Sequence, residues 1–276
     1  MTPDTQEMPR RHGRLLLIPN TLDLGCLDPD SGSGAPDLRE VLPMGAIVAA
    51  AGLRHWIAEN AKTTRAFLKR VGDITPLAAP MQEQDIQVLP RPQKGGKHKR
   101  AGAAPDTEEA RQITAMLAPA LAGQDVGLIS EAGLPGVADP GAAVVLAAHK
   151  AGVPVLPLSG PSSLVLALAA SGLHGQSFAF VGYLPVEAQE RSQRIKELEL
   201  LSRKVHQTQL VIETPYRNPA LWQALVQHLP GPTLLSVSVG LTLPQGWSRT
   251  DTVERWRKQS LTLPDDIPAV FSFLAV

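Results

Sequence analysis

The chain has 276 residues, a length that suits two domains of ordinary size or one large domain. Its 26 Lys and Arg residues balance 26 Asp and Glu residues, so the chain has no overall field that would attract nucleic acid or a membrane surface. Any contact with RNA must therefore come from a local basic patch. A single cysteine excludes an internal disulfide framework, and the absence of a Cys/His cluster predicts that there is no metal site.

The N-terminal residues are polar and lack the apolar segment of a signal peptide. Residues 1–13 are predicted to form a disordered arm. No apolar run in the chain is long enough to span a bilayer, which predicts a cytoplasmic protein without membrane contact.

The N-terminal domain is predicted to begin with an apolar strand at residues 14–18 that ends at Pro19 and Asn20. A Gly/Ser/Asp-rich loop follows at 28–36. Residues 55–58 are typical of a second strand, and 59–70 of a helix that stops at Gly72.

Residues 90–105 are predicted to form a basic loop, because proline, glycine and charge prevent a packed element there. It carries five bases and no acid: Arg91, Lys94, Lys97, Lys99 and Arg100. A helix is expected to follow, with Asp106 as N-cap and Glu109 three residues later in a capping box.

Residues 125–173 alternate between strand and helix patterns joined by short connections. We expect a strand at 125–129, a helix from Gly141 with Asp139 as N-cap, a strand at 153–158 and a helix from Ser162 or Ser163. Short right-handed crossovers of this kind predict a mostly parallel sheet.

After residue 174 the pattern predicts a second α/β domain with a mixed sheet. The fold class is therefore α/β, with an N-terminal domain over 14–174 and a C-terminal domain over 175–276. The predicted elements of the second domain are strands at 178–183, 209–212, 234–239 and 269–274, and helices at 187–202, 218–228 and 253–258.

Two loops that follow predicted strands have unusual content. Residues 130–141 read SEAGLPGVADPG, and residues 159–163 read SGPSS. Glycine permits close approach of a ligand to the backbone, and the free amides at a helix start favour electron-rich ligand groups. For either loop alone, a tight βα turn without ligand accounts for the sequence about equally well. The chain contains no GxGxxG, P-loop, GxSxG or HExxH motif.

A resemblance to known proteins rests on these two loops and on four further segments. These are AENAKTTRAFLKRVG at 58–72, FVGYLP at 180–185, VIETPYRNPAL at 211–221 and IPAVFSFLA at 267–275. The chain resembles the tetrapyrrole-methylase superfamily, and within it the bacterial 16S ribosomal RNA cytidine 2′-O-ribose methyltransferases. The resemblance covers most of the chain from residue 55 onward. It implies two α/β domains with S-adenosylmethionine in the cleft between them, and a homodimer.

The resemblance also implies a set of site residues. Those expected to bind the cofactor are Pro19, Ser130, Ala132, Gly133, Pro135, Asp139, Pro140, Gly160, Pro161, Ser162, Ser163, Tyr183, Leu184, Pro268 and Ala269. Glu131 and Glu213 are the candidates for catalytic residues. Those expected to bind the substrate are Lys62, Arg65, Lys97, Lys99, Arg100 and Tyr216. Three of these residues have a purely structural alternative. The role of Glu131 could be limited to hydrogen bonds with neighbouring amides, and Lys62 and Arg65 could form a solvated helix face.

Four segments depart from the family pattern. The loop after the first strand lacks its usual glycine, and Glu131 stands where relatives usually have Asp. The acidic, threonine-rich run after the second strand has become ENAKT at 59–63, and the basic loop replaces a segment with His and Asn. These departures predict a retained cofactor half and an altered acceptor half.

Three functions remain open at the level of sequence. The first is transfer of a methyl group to a ribosomal RNA ribose, with the basic loop contacting RNA. The second is methylation of a small molecule such as a tetrapyrrole. The third is non-catalytic binding of S-adenosylmethionine. None of the three needs a metal ion.

Overall fold

The computed structural model describes residues 12–23, 36–90 and 107–276. Residues 1–11 of the arm predicted over 1–13 lie outside the described residues, as do the predicted basic loop after residue 90, with Lys97, Lys99 and Arg100, and the proposed N-cap Asp106. The prediction was wrong for the end of the arm, because Gly13 is buried and its amide donates to the carbonyl of Ala120 at 2.8 Å. The chain forms two compact units. The first contains residues 12–21, 36–90 and 107–161; the second contains Leu22, Asp23 and Ser162–Val276.

The first unit contains a five-stranded sheet in which every strand pair is parallel. Its order is β3-β2-β4-β1-β5. The strands are β1 (Leu15–Ile18), β2 (His55–Ala58), β3 (Asp85–Val88), β4 (Val126–Ile129) and β5 (Val155–Pro157). Helices connect them: α1 (Met44–Ala51), α2 (Ala61–Gly72), α3 (Thr107–Met116), α4 (Ala118–Leu121) and α5 (Ala142–Lys150).

Both faces of this sheet are covered, because its strands send apolar side chains to either side. On β4, Ile129 packs into a cluster with residues of α1 and α2. Its neighbour Leu128 packs into a second cluster with residues of α3, α4 and α5. Burial on two faces explains why the strands are continuous apolar runs, as is usual in parallel sheets.

The second unit contains a five-stranded mixed sheet of order β6-β7-β10-β8-β9. The strands are β6 (Phe178–Tyr183), β7 (Thr208–Ile212), β8 (Leu234–Val239), β9 (Trp247–Thr252) and β10 (Ala269–Leu274). The helices are α6 (Ser163–Ser171), α7 (Ala188–Val205), α8 (Asn218–His228) and α9 (Val253–Trp256). β6 is parallel to β7, whereas β10 is antiparallel to both β7 and β8. The predicted α/β class, with one parallel and one mixed sheet, is confirmed.

The boundary between the units differs from the predicted one near residue 174. Helix α6 packs on the second sheet, because its Leu164 and Leu168 lie in one cluster with Leu210 of β7 and Val270 of β10. The division therefore falls before α6, between Pro161 and Ser162.

The prediction that Asp139 caps α5 was wrong. Gly141 occupies the N-cap position, with φ 133°, and the helix begins at Ala142. Ala138 has φ 65°, a left-handed conformation that keeps the preceding residues out of a helix. Three further elements, α1, β3 and β9, were not predicted. Among the described residues, no helix combines the length and apolar character needed to cross a membrane.

Candidate functional site

Several of the predicted site residues of the first unit follow the carboxyl ends of its parallel strands. Pro19 and Asn20 follow β1, Glu59 follows β2, residues 130–141 follow β4, and residues 158–161 follow β5. Parallel strands end at the same edge of a sheet, which is where ligands bind in open α/β folds. This edge is the candidate site of the first unit.

The loop at residues 130–141 has an irregular, tightly folded backbone. Gly133 and Gly136 have φ 65° and 78°, values that glycine adopts without steric cost. A Cβ atom on Gly141 would lie 3.2 Å from the amide nitrogen of Gly136, so the two ends of this turn touch. The shape of the loop therefore depends on its glycines, among them the predicted site residue Gly133.

The start of this loop is held from two sides by residues that sequence analysis did not select. Asn20 contacts it through an isolated bridge to Gly133 and through side-chain bonds to the carbonyls of Ser130 and Glu131. The amide of Glu131 donates to Oε2 of Glu59 at 3.0 Å. Both Asn20 and Glu59 stand immediately after a strand segment in the sequence, and that position is the signal that could have found them.

Three carboxylates lie at this loop. Burial, with the negative charges of Glu59 and Glu131 as further causes, raises the pKa of Asp139 to about 7. Asp139 is therefore near the midpoint of its titration at neutral pH. A group that changes its charge in this range suits either proton transfer or the recognition of a cation.

A buried polar group beside these residues lacks a partner. Among the described residues nothing accepts from or donates to the hydroxyl of Ser130, although this residue is only 3% exposed. A buried hydroxyl without a partner is costly, which fits a site that a polar ligand completes. Ala132 and Pro135 lie in the same loop, partly and fully buried respectively, and Pro140 is exposed.

The loop after β5 makes close contact with the loop after β1. Gly160 lies against the ring of Pro19, and a Cβ atom at residue 160 would overlap that ring. Pro161 follows as a buried residue. Two loops predicted to share the cofactor site are therefore in direct contact.

The predicted substrate residues of the first unit lie on helix α2. Lys62 and Arg65 are both exposed, and Asn60 caps the helix by accepting from the amide of Lys62 at 2.9 Å. Lys69 continues the same exposed face, because residues at intervals of three and four share one side of a helix.

In the second unit, five predicted residues lie at the same end of the sheet, where β6 and β7 finish and β10 begins. Tyr183 of β6 is in register with Ile212 of β7, which is also opposite Val270 of β10. Leu184 and Glu213 follow the ends of β6 and β7, and Pro268 and Ala269 lie at the start of β10. The carbonyl of Pro268 accepts from the amide of Gly240 at 3.0 Å.

Glu213 is almost fully engaged within its own unit. Its Oε2 forms a 2.9 Å ion pair with Arg217, and its Oε1 accepts from the amide of Thr214 at 2.8 Å. The carboxylate side chain is only 6% exposed. Tyr216, between these partners, is 69% exposed. Ser162 and Ser163 form the N-cap and first turn of α6.

Comparison with known proteins gives a consistent relationship. The family profile of the tetrapyrrole (corrin/porphyrin) methylases matches residues 46–252. A protein of Vibrio cholerae named ribosomal RNA small subunit methyltransferase I is 36% identical over 126 residues, covering 46% of this chain and 42% of that protein. A protein of the same name from Mesorhizobium japonicum is 37% identical over 138 residues, covering 50% and 46% respectively. The matched segment thus spans less than half of either curated relative.

Two solved structures share the fold. The methyltransferase CobJ superposes with a TM-score of 0.51 at 13% identity, covering 96% of this chain and all of that one. The native form of uroporphyrin III C-methyltransferase from Thermus thermophilus gives a TM-score of 0.50 at 17% identity, covering 95% and 97%. Identities this low establish the common fold and nothing more. Since the family profile covers most of its length, the chain belongs to the tetrapyrrole methylase family.

Proposed function

We propose that this chain transfers a methyl group from S-adenosylmethionine to ribosomal RNA, at a ribose 2′-hydroxyl. The observation that carries the proposal is the loop at 130–141. It combines a glycine-bent backbone, a buried Ser130 hydroxyl with no partner among the described residues, and the carboxyl group of Asp139 with its raised pKa, all at the carboxyl edge of a parallel sheet. The choice of acceptor is supported by the relatives named ribosomal RNA small subunit methyltransferase I.

Each unit by itself offers a set of residues that are proposed to hold the cofactor. From the first unit they are Pro19, Ser130, Ala132, Gly133, Pro135, Asp139, Pro140, Gly160 and Pro161. From the second they are Ser162, Ser163, Tyr183, Leu184, Pro268 and Ala269. The first set fits a polar ligand, because the Ser130 hydroxyl has no partner within the described ranges and the positive-φ backbone lets a ligand approach closely.

When bound, S-adenosylmethionine would supply an electrophilic methyl group attached to a positively charged sulfur. A hydroxyl oxygen of the acceptor takes the methyl group in line, and the sulfur leaves as a neutral thioether. The protein's largest contribution is alignment, an effect worth up to roughly 7–11 kcal/mol in model reactions. Glu131 is proposed to accept the hydroxyl proton, a step worth about 10²–10⁴-fold. The ionised form of Asp139 adds negative charge that favours a cationic ligand.

Glu213, the other predicted catalytic residue, is proposed to have a holding role instead. Its ion pair with Arg217 and its bond to Thr214 fix the turn after β7. That turn carries Tyr216, whose exposed ring is available to stack on a base.

The exposed cations of α2 are proposed to contact RNA phosphates. Lys62, Arg65 and Lys69 lie on one face of the helix, which starts at the edge of the sheet where the candidate site lies. A local row of cations is the feature that a chain of zero net charge needs for RNA binding. Lys97, Lys99 and Arg100 are likewise proposed to bind RNA phosphates.

We further propose that the protein is a cytoplasmic homodimer. Strand β6 lies at the edge of the second sheet and exposes Phe178 and Phe180, by 45% and 37%. Exposed apolar edge strands favour association with another chain. Light scattering coupled to size-exclusion chromatography tests this, and a monomer at micromolar concentration contradicts it.

The function is tested by incubating the protein with methyl-labelled S-adenosylmethionine and, in parallel, small-subunit ribosomal RNA or a tetrapyrrole extract. We expect label in the RNA, within a dinucleotide that resists alkali because its 2′-hydroxyl is methylated. The Gly133→Trp variant, which fills the bent loop, should give none. Label in the tetrapyrrole extract alone would overturn the choice of acceptor. Binding of S-adenosylmethionine without any transfer would show a non-catalytic binder.

A further inference from the structure

Asn20 contacts more of the loop at 130–141 than any single residue selected from the sequence. Its side-chain Nδ2 donates to the carbonyl oxygens of Ser130 and Glu131, at 3.1 and 3.0 Å. Its backbone amide donates to the carbonyl oxygen of Gly133 at 2.9 Å. One residue therefore satisfies three of the four carbonyls at the start of this loop.

These bonds determine where the amides of the loop point. In a planar trans peptide, the carbonyl of one residue and the amide of the next point in opposite directions. Carbonyls that face Asn20 therefore turn the amides of Glu131, Ala132 and Leu134 away from it. On that opposite side, the amide of Glu131 donates to Oε2 of Glu59 at 3.0 Å. In the described part of the chain, no acceptor is found for the amides of Ala132 and Leu134.

The side chain of Asn20 is committed to this role. It is 6% exposed, both hydrogens of its amide group are directed at carbonyls, and its Oδ1 accepts from the amide of Thr21 at 2.9 Å. Both donor hydrogens and the acceptor oxygen are in use, so the side chain has little capacity left to contact a ligand itself. Asparagine is also the residue type that this position demands, because an ionised aspartate would set negative charge against two carbonyl oxygens.

We propose that Asn20 is a positioning residue, which turns the amides of Ala132 and Leu134 toward acceptor atoms of the bound cofactor. The inference rests on the proposed function, because it takes S-adenosylmethionine as the ligand of this loop. Asn20 acts through the backbone and does not touch the cofactor. Preorganised amides raise affinity because the loop is already ordered before the ligand binds.

The test is calorimetric titration of the wild type, Asn20→Ala and Asn20→Asp with S-adenosylmethionine at pH 5.5 and pH 8. Asn20→Ala should raise the Kd at least tenfold at both pH values. Asn20→Asp should bind more weakly than Asn20→Ala at pH 8. At pH 5.5 it should bind more tightly than Asn20→Ala, because a protonated carboxyl group donates one hydrogen bond. Loss of packing alone would not produce this pH-dependent reversal.

Asn60→Ala is the matched control, because Asn60 is also an asparagine that follows a strand of the same sheet. It caps α2 through the amide of Lys62, and among the described residues it makes no hydrogen bond to the loop at 130–141. Its replacement should lower the melting temperature, because a helix cap is lost, and leave the Kd within twofold of wild type. An equal reduction of affinity in Asn60→Ala and Asn20→Ala would overturn the inference.

A measurement on the wild type covers the case in which Asn20→Ala fails to fold. In ¹⁵N-labelled protein, the amide protons of Ala132 and Leu134 should shift downfield when S-adenosylmethionine is added, because they gain acceptors. Binding without a shift at either amide overturns the positioning role and leaves the proposed function intact. A wild-type protein that does not bind S-adenosylmethionine refutes the proposed function itself.

Discussion

Gly160 lies so close to Pro19 that a Cβ atom at residue 160 would be 2.1 Å from the Cβ atom of the proline. No side chain fits in this space, so Gly160→Ala must separate the loops that follow β1 and β5. We expect a lower melting temperature and at least a tenfold higher Kd for S-adenosylmethionine. Calorimetry and thermal unfolding of the same preparation measure both effects.

Gly45→Ala is the control for this substitution. Gly45 lies in helix α1 of the same unit, and a Cβ atom there meets nothing within 4 Å. The change should leave the Kd unaltered and raise stability by up to about 1 kcal/mol, because alanine favours the helix. Wild-type affinity in Gly160→Ala would contradict the close packing of the two loops.

Asp139 should make the stability of the protein fall as the pH rises from about 4 to about 7. Its pKa is raised from the ordinary 3.8 to about 7 by burial and by Glu59 and Glu131. Between these values the unfolded chain is ionised and the folded one still protonated, so rising pH favours unfolding by at most about 1.4 kcal/mol per pH unit. Above pH 7 the stabilisation is gone and no further change follows.

Asp139→Asn should remove this dependence, since an amide does not titrate. Its melting temperature relative to wild type should therefore increase from pH 4 to pH 7. Asp73→Asn, at an exposed position of the same unit, should follow the wild type throughout. Parallel curves for wild type and Asp139→Asn would show that Asp139 titrates as it does in the unfolded chain.

The ion pair between Arg217 and Glu213 should contribute to the stability of the second unit. Arg217→Ala leaves a buried carboxylate without a positive partner, which should cost about 3 kcal/mol, the lower end for buried pairs, because a quarter of the arginine is exposed. Chemical denaturation measures the change in the free energy of unfolding. The double variant Arg217→Ala/Glu213→Gln should recover part of it.

Arg194→Ala provides the comparison, because its pair with Glu197 is about half exposed on both sides. The substitution should lower the free energy of unfolding by less than about 1 kcal/mol. If Arg217→Ala costs no more than Arg194→Ala, the pair does not hold the turn after β7.

The cations of α2 should set the salt dependence of RNA binding. Replacing Lys62, Arg65 or Lys69 by alanine should weaken binding and reduce the slope of log K against log salt by about one for each phosphate that is no longer neutralised. Lys258→Ala, an exposed lysine of the second unit, should change neither. Fluorescence anisotropy over a range of salt concentrations measures the slopes. Unchanged slopes in the α2 variants would show that this face is only solvated.

Deletion of residues 91–100 tests the predicted basic loop separately. RNA affinity and its salt dependence should both decrease, because five bases are removed. Retention of full RNA affinity would leave α2 as the local support for the RNA hypothesis.

The elements that sequence analysis predicted best are those with an unambiguous local pattern. Strands β8 and β10 and helix α8 have the predicted bounds, because the strands are compact apolar or alternating runs and the helix has a proline in its first turn. Helix α1 was missed since MGAIVAAA is apolar on every side and has no side-chain cap. Strand β9 was missed because WSRTDT is polar, and pairing with β8 is what makes it a strand.

The candidate site could be predicted only as a set of loops. The rule that parallel strands end at one edge was enough to group residues 130–141 with 159–161. It also places Asn20 at that edge, but it does not predict the bonds of Asn20 to Ser130 and Glu131, which join positions 110 and 111 residues apart. Nor could it assign α6 to the second unit, since that assignment depends on packing against Leu210 and Val270.

Calorimetric titration of the purified protein with S-adenosylmethionine and with its demethylated product determines whether the chain binds the proposed cofactor. We expect micromolar binding of at least one of them, abolished by Gly133→Trp and by Ser163→Trp. An absence of binding to the folded wild type, or full retention of affinity in both variants, would refute the proposal that this chain uses S-adenosylmethionine as its methyl donor.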